Sequence, residues 1–407
     1  MNTKSVIVVG AGIVGLTTAC RLAEEGYKVH VVEQNSKPGE GSSKANAGQL
    51  IFDRVGAMGS PQFLRSLPKS LFDPDQGMSA TGLLRPANWP WAAAFIGQCT
   101  AKAWQKNTRG LSELAHRSRD SMIQFNHRHK IEFSWRKPGK IILYQDETSL
   151  EAAQKIAEFQ AQFGGHHQII DAEECIEREP ALAGNGKKIA GGVFLPDAEV
   201  GDCNSYCQSL ARLLTGELGG KITYGTKVTG ISRNGEKVRA LQTDEGELVA
   251  DLFVIATGGD ARAMLPGWFS SKKLVTNIKG ISLTFPLGSN PPDLSVTDTA
   301  GKFVIMRLGD KVRITGYAFF SSDLYIQQKY VQLLINKAKA LMPGAADYDA
   351  EPIVWVGLRP QTPDDLPMIG QAKLRNLYVN AGHGSRGWIL AFGSSEVLLE
   401  KIDGTPN

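Results

Sequence analysis

The sequence predicts an α/β fold: a first domain on a parallel sheet, joined to a second, α+β domain with a mixed sheet. Three observations carry that expectation. The chain opens on an apolar strand, a glycine turn and a helix in immediate succession. Two later apolar strands, at 251–255 and 376–380, each run into a turn of small residues. Between these segments, stretches of alternating and helical periodicity mark a domain of another kind.

In the opening unit Val6-Ile7-Val8-Val9 forms a buried strand and Gly10-Ala11-Gly12-Ile13-Val14-Gly15 the turn. Helical spacing follows over 16–25, Gly26 stops it, and a second strand over 27–32 ends at Glu33-Gln34. Each part suits a dinucleotide. Gly10 permits the tight turn, Gly12 lets the backbone approach a pyrophosphate, and Gly15 lets helix and strand pack closely. The helix N-terminus turns N–H groups and a positive dipole end toward phosphate. Glu33, roughly 20 residues beyond Gly12, stands where an acid accepts hydrogen bonds from ribose hydroxyls. The unit is therefore Rossmann-like.

It does not by itself choose between nicotinamide and flavin. Asp251-Leu252-Phe253-Val254-Ile255 leads into Ala256-Thr257-Gly258-Gly259, and the strand at 376–380 leads into Ala381-Gly382-His383-Gly384-Ser385-Arg386-Gly387-Trp388. This second glycine loop opens a helix over 388–402, but too little chain follows Gly387 to complete another nucleotide unit. Its helix N-terminus suits a developing negative charge, such as that of a reduced flavin. With one complete unit, the electrons are expected from the organic substrate rather than from a second dinucleotide, although nicotinamide also binds without the motif.

The bulk properties set bounds. At 407 residues the chain is too long for one ordinary core, and 42% hydrophobic with 21% charged residues describes a soluble globular protein. A net charge of +4 without long basic runs argues against a nucleic-acid partner. No stretch has the roughly 18 consecutive apolar residues of a spanning helix. The first strand begins too early to leave room for a signal peptide. Five cysteines, an odd number, fit free thiols in a reducing compartment. The expected location is cytoplasmic, with peripheral contact at the inner face of the membrane left open. Cys203 and Cys207 share a helix face without a second ligand pair, and His127, His129, His166 and His167 look like exposed polar residues, so no metal is expected.

Several segments, taken in order, resemble a known family. They are the N-terminal unit, Ser42-Ser43-Lys44-Ala45-Asn46-Ala47-Gly48, Ala256-Thr257-Gly258, Gly357-Leu358-Arg359-Pro360-Gln361-Thr362-Pro363-Asp364, and Gly382-His383-Gly384 followed by Gly387-Trp388. Together they are similar to the FAD-dependent D-amino-acid dehydrogenases, in the wider group of glycine oxidase, sarcosine oxidase and D-amino-acid oxidase. The resemblance spans nearly the whole chain. It implies FAD as cofactor, oxidative deamination of an amino acid, and a quinone or other non-oxygen electron acceptor at the membrane. Ser42, Ser43, Asn46, Ala47 and Gly48 are then expected along the pyrophosphate and ring, and Val228 at adenine through its backbone. Thr257, Gly258, Gly382, His383, Gly384, Gly387 and Trp388 complete the expected cofactor contacts. The chain departs from its relatives at Ser385-Arg386, which sets a cation beside the flavin loop, and in ending at Asn407, short of many of them.

Arg359 is the expected substrate residue. It follows an apolar strand over 353–358 in a turn punctuated by glycine and proline, so its side chain should emerge at a strand end. A guanidinium grips a carboxylate through two parallel hydrogen bonds. From position alone, an ion pair with Asp364 or Asp365 fits equally well; the resemblance favours the substrate role. Hydride transfer asks for orientation and desolvation rather than a base, and none is assigned. His383 fits either a ring-tuning role or a spacer whose backbone alone matters.

The nucleotide segments are distant in sequence yet serve one cofactor, which makes the FAD-binding domain discontinuous. It is expected over 1–55, 190–265 and 352–407, with the substrate domain over 56–189 and 266–351 covering the flavin. In the latter, strands are expected at 140–144, 274–285, 303–308 and 312–319, and helices at 149–163 and 323–341. Residues 56–105 are the least regular. Within them 86–98 carries Trp89, Trp91, Phe95 and Ile96, which suit either a membrane interface and quinone path or a helix packed into the substrate domain, the latter preferred. Alternatives kept open are an oxidase or deaminase of glycine, proline-type secondary amines or L-amino acids, and a flavin subunit that only passes electrons.

Overall fold

The computed structural model describes residues 4–72, 77–79, 81–184, 188–264 and 274–404; the expectation attached to Asn407 lies outside them. The opening motif folds as expected. Ser5–Val9 lies near the middle of a six-stranded sheet, parallel to Lys28–Val32 on one side and Leu252–Ile255 on the other. Leu377–Ala381 and Lys221–Thr223 extend the parallel set, and Met368–Gln371 closes one edge antiparallel. The helices Ile13–Glu24 and Gly387–Asp403 share one core with this sheet, built on Leu16, Ala19, Leu22, Leu390 and Phe392.

A long helix, Ala101–His129, covers the same core, in a region that the sequence left partly irregular. Thr100 caps it by accepting from Ala103 N at 3.2 Å, and Leu111, Ala115, Ser118, Met122 and Phe125 recur along its buried face. It presses against the C-terminal helix so closely that a Cβ on Gly393 would lie 2.5 Å from the Leu114 carbonyl oxygen. Only glycine fits that crossing.

The second sheet is mixed and has nine strands, with Ile353–Gln361 at one edge, beside Thr276–Pro286. Ile281, Leu283, Phe285, Ile305, Val312 and Ile314 bury one face under the helix Gln328–Leu341. Two strands from the expected nucleotide segments, Gly191–Leu195 and Ile353–Gln361, pair into this sheet rather than into the parallel one. The helix expected from 323 starts at Gln328 instead. Lys279 Nζ donates to Asp323 Oδ1 at 2.7 Å and to the Tyr325 carbonyl at 2.6 Å, which holds that stretch as a loop. The segment 86–98 becomes the helix Trp89–Gln98, with Trp91 and Phe95 buried and Trp89 and Ile96 more than half exposed.

Candidate active site

At the glycine turn each glycine meets a different constraint. A Cβ on Gly15 would overlap the Gly10 carbonyl oxygen, and one on Gly10, whose φ is +107°, would lie 2.7 Å from the Ala256 carbonyl oxygen. Those two are packing glycines. A Cβ on Gly12 would meet only Ser43 Oγ, at 3.5 Å, so the space over Gly12 is open to a bound group. Ser43 Oγ accepts from Ile13 N at 3.1 Å, which seats the 42–48 segment on the helix N-terminus beside Val14 and Gly15. Glu33 is buried: Oε2 accepts from Ala11 N at 2.6 Å and Oε1 from Asn35 N at 2.9 Å. Gln34 Nε2 donates to Asp260 Oδ2 at 2.9 Å, tying the acid's loop to the turn after Thr257-Gly258. Thr257 Oγ1, next to Gly10, is buried without a hydrogen-bond partner. An open glycine, an inward helix end and an unmet hydroxyl together fit a dinucleotide pyrophosphate.

The 42–48 segment also joins the two sheets. Ser42 Oγ donates to the Leu358 carbonyl, and Asn46 Oδ1 accepts from Gly48 N at 2.9 Å. Asn46 presents its own carbonyl to Arg313 Nη1 at 3.1 Å, and Ala47 packs against Met306 and Leu308. Arg313, buried and bonded also to Thr284 Oγ1 at 3.1 Å, was not foreseen. Its position on an alternating strand gave no sign that it would reach across to the glycine-rich side.

In the second glycine loop, Gly382 and Gly384 adopt left-handed φ of 82° and 57°, and Gly387 begins the C-terminal helix. His383 is buried, shares a 3.0 Å hydrogen bond with Ser394 Oγ, and burial pulls its pKa down to about 3. It is neutral at any working pH, and its ring points into the helix. Trp388 is buried edge-on to Phe133 and Tyr206 with its Nε1 unpartnered, and the Val228 side chain sits in the core with Ile7 and Val9. Arg386 does not leave a loose cation beside the loop. Its Nη1 pairs with Asp365 Oδ1 at 3.0 Å and its Nη2 donates to the Gly56 carbonyl.

That pairing removes the ion-pair alternative for Arg359 among the described residues. Asp365, 1% exposed, belongs to Arg386, and no carboxylate among the described residues lies within ion-pair reach of Arg359. Arg359 is not in a turn. It lies within the Ile353–Gln361 strand, opposite Ile278, because pairing with Thr276–Pro286 continues past it. Pro360 is tolerated because this strand is an edge. The guanidinium is partly buried, and desolvation pulls its pKa below the ordinary value. Its hydrogen bond from Nη1 goes to the Tyr317 carbonyl oxygen at 3.0 Å. Gly357 in the same strand backs onto Ser42, and Gln361 bridges to His383, so the arginine strand lies across both glycine segments.

The features taken as bland divide. Cys203 and Cys207 lie buried on one helix, as expected. His127 and His166 are exposed, but His129 is half-buried against Glu24 at 2.8 Å, and His167 is half-buried near Arg54 with its pKa lowered by burial. Among the described residues, no group of three or more His, Cys, Asp or Glu side chains could hold a metal ion, and no helix is long and apolar enough to cross a membrane.

Comparison with known proteins gives a consistent result. A D-amino acid dehydrogenase of Vibrio vulnificus is 33% identical over 401 residues, covering 98% of this chain and 95% of that one. D-amino acid dehydrogenase 2 of Ralstonia nicotianae is 34% identical over 409 residues, covering 98% and 96%. Among solved structures, glycine oxidase from Bacillus cereus matches with a TM-score of 0.72 at 21% identity, covering 100% and 96%. L-proline dehydrogenase from P. horikoshii matches with a TM-score of 0.73 at 19% identity, covering 100% and 95%, so the fold is shared. The family described as FAD dependent oxidoreductase (DAO) matches residues 5–401, and the chain belongs to it.

Proposed function

We propose that this FAD-dependent oxidoreductase deaminates a D-amino acid to a 2-oxo acid and ammonia through an imino acid, and passes the electrons to a quinone or other non-oxygen acceptor. The observation that carries the reading is Arg359, a partly buried guanidinium with a carbonyl for a partner and, among the described residues, no carboxylate within ion-pair reach. Partly desolvating a cation without a counter-charge is unfavourable, and a ligand carboxylate offsets that while fixing orientation by two hydrogen bonds. The names of the full-length relatives support the D-amino-acid substrate.

Gly10–Gly15, Glu33, the 42–48 segment, Thr257, Gly258 and the 382–388 loop would hold the FAD, whose flavin supplies the hydride acceptor. The protein's own part is to bind and orient. Arg359 fixes the carboxylate, and the strand that carries it covers the glycine segments. The imino acid hydrolyses after release. A peripheral membrane contact for delivering electrons is supported by Leu84, Trp89 and Ile96, which are 66%, 59% and 52% exposed. Trp91, on the same helix, faces inward and donates to the Gln361 carbonyl at 2.8 Å, linking that helix to the arginine strand.

The test is anaerobic bleaching of the flavin absorbance by D- and L-alanine, D- and L-phenylalanine, D- and L-proline, and glycine. Bleaching by D-isomers, without peroxide on turnover in air, is the expected result. Bleaching by L-isomers alone, or by none, defeats the proposal.

A further inference from the structure

The seat of Arg359 is built by residues outside its own strand. Thr276–Pro286 pairs with Lys311–Phe320 in register except at one point: Lys279 faces Phe319 and Ile281 faces Gly316, so two residues, Tyr317 and Ala318, oppose Gly280 alone. This is a β-bulge. Tyr317 takes φ of 63°, a left-handed conformation that a bulky residue rarely adopts. Its ring is buried, stacked on Phe319 at 5.3 Å and edge-on to Tyr330 at 5.3 Å, which holds the strained backbone in place. The bulge aims the Tyr317 carbonyl at Arg359 Nη1. Against the guanidinium, a Cβ on Gly280 would overlap Nη2 and lie 2.6 Å from Cζ and 3.0 Å from Nη1.

We propose that Gly280 and the Tyr317 bulge are positioning elements of the carboxylate seat: the missing side chain at 280 makes the slot in which the guanidinium lies flat, and the Tyr317 carbonyl fixes its rotation. The inference rests on the reading of Arg359 as the carboxylate-binding residue. The chemistry of the pin matters. A carboxylate pin would neutralise the guanidinium, whereas a carbonyl takes one N–H and leaves the positive charge and the remaining donors for an incoming acid. A regular ladder would offer no such oxygen, because its carbonyls are committed to neighbouring strands.

The experiment is steady-state kinetics of flavin-loaded Gly280→Ala, Arg359→Lys and the double variant, on whichever amino acid of the bleaching panel is turned over. Gly280→Ala is expected to raise KM at least about tenfold with kcat changed far less and flavin content unchanged. In the double variant its effect should vanish, because the methyl group acts only through the guanidinium. A KM for Gly280→Ala within twofold of the parent, or a loss that adds fully onto Arg359→Lys, overturns the inference. An Arg359→Lys variant with normal KM defeats the underlying reading instead. Should Gly280→Ala fail to fold, Gly280→Ala with Arg359→Ala removes the atoms the methyl would strike. Recovery of folded, flavin-bearing protein supports the slot, and continued misfolding overturns it.

Discussion

Arg359→Lys isolates what the guanidinium fork contributes beyond its charge. In the structure one N–H is committed to the Tyr317 carbonyl at 3.0 Å, and among the described residues no carboxylate pairs with the guanidinium. Lysine keeps a positive charge but presents it as a point on a flexible stem, unable to hold two parallel bonds while pinned from behind. A hydrogen bond to a charged group contributes about 1.5–3 kcal/mol, so losing one prong costs about 2 kcal/mol. That corresponds to about a 30-fold fall in kcat/KM. The loss should lie mainly in KM, since the carboxylate is held alike in ground and transition states. Flavin content should not change, because Arg359 lies across from the glycine turns and is not among them. The assay is initial rate against substrate concentration with an artificial electron acceptor, alongside the ratio of flavin to protein absorbance. A kcat/KM within twofold of the parent would refute the reasoning.

Three further outcomes follow from the same geometry. Gly12→Ala should leave the melting temperature of flavin-free protein nearly unchanged yet abolish FAD binding, whereas Gly15→Ala, whose methyl overlaps the Gly10 carbonyl, should destabilise even the flavin-free protein; calorimetry with and without FAD separates the two. Lys140 is buried with Nζ on Gln49 Oε1 at 2.8 Å, and burial, helped by nearby Arg54, lowers its pKa from 10.5 to about 7. Between those values the unfolded chain holds a proton that the folded protein has lost, so stability should rise with pH through this window by up to about 1.4 kcal/mol per unit. Urea midpoints at pH 7 and pH 9 should show that rise in the parent, and less of it in Lys140→Met; equal slopes would show that Lys140 is not the group responsible. Replacing the outward Trp89 and Ile96 by serine removes two half-exposed apolar side chains, about 1 kcal/mol each on transfer, and should weaken partitioning into anionic lipid vesicles about 30-fold. Trp91 and Phe95 must stay, since they are core, and unchanged partitioning would rule out this face as the membrane contact.

Much of the nucleotide half was legible because its signals are contiguous. A strand, three glycines at fixed spacing and an amphipathic helix announce themselves in one short stretch, and each glycine has a local steric reason. The substrate half was legible as elements but not as a site. The strand boundary near Arg359 was misplaced because Gly357 and Pro360 signal a turn locally, while the partner strand Thr276–Pro286 overrides them. The helix Ala101–His129 went unnoticed for the opposite reason. Its buried face uses Ala115 and Ser118, small residues chosen for the close crossing at Gly393, and these weaken the apolar pattern that would have marked it.

The two arginines near the flavin segments show where local sequence stops informing chemistry. Arg359 and Arg386 each stand in a conspicuous glycine-containing motif, and sequence offers Asp364 and Asp365 as partners for Arg359. What separates them is which guanidinium reaches the buried carboxylate. Asp365, left-handed at φ 65° and also accepting from Met58 N at 2.8 Å and Gln361 Nε2 at 2.6 Å, turns to Arg386. Arg386 is thereby spent on structure: it ties the C-terminal glycine loop to the segment at Gly56 and Met58. Arg359 is left with a carbonyl and, among the described residues, no counter-charge. The proposed substrate-binding role therefore depends as much on Asp365 being engaged elsewhere as on Arg359 itself. Freeing that carboxylate by Arg386→Met should weaken substrate binding as well as stability, because an unpaired buried anion would sit within the same motif as the cation meant for the substrate.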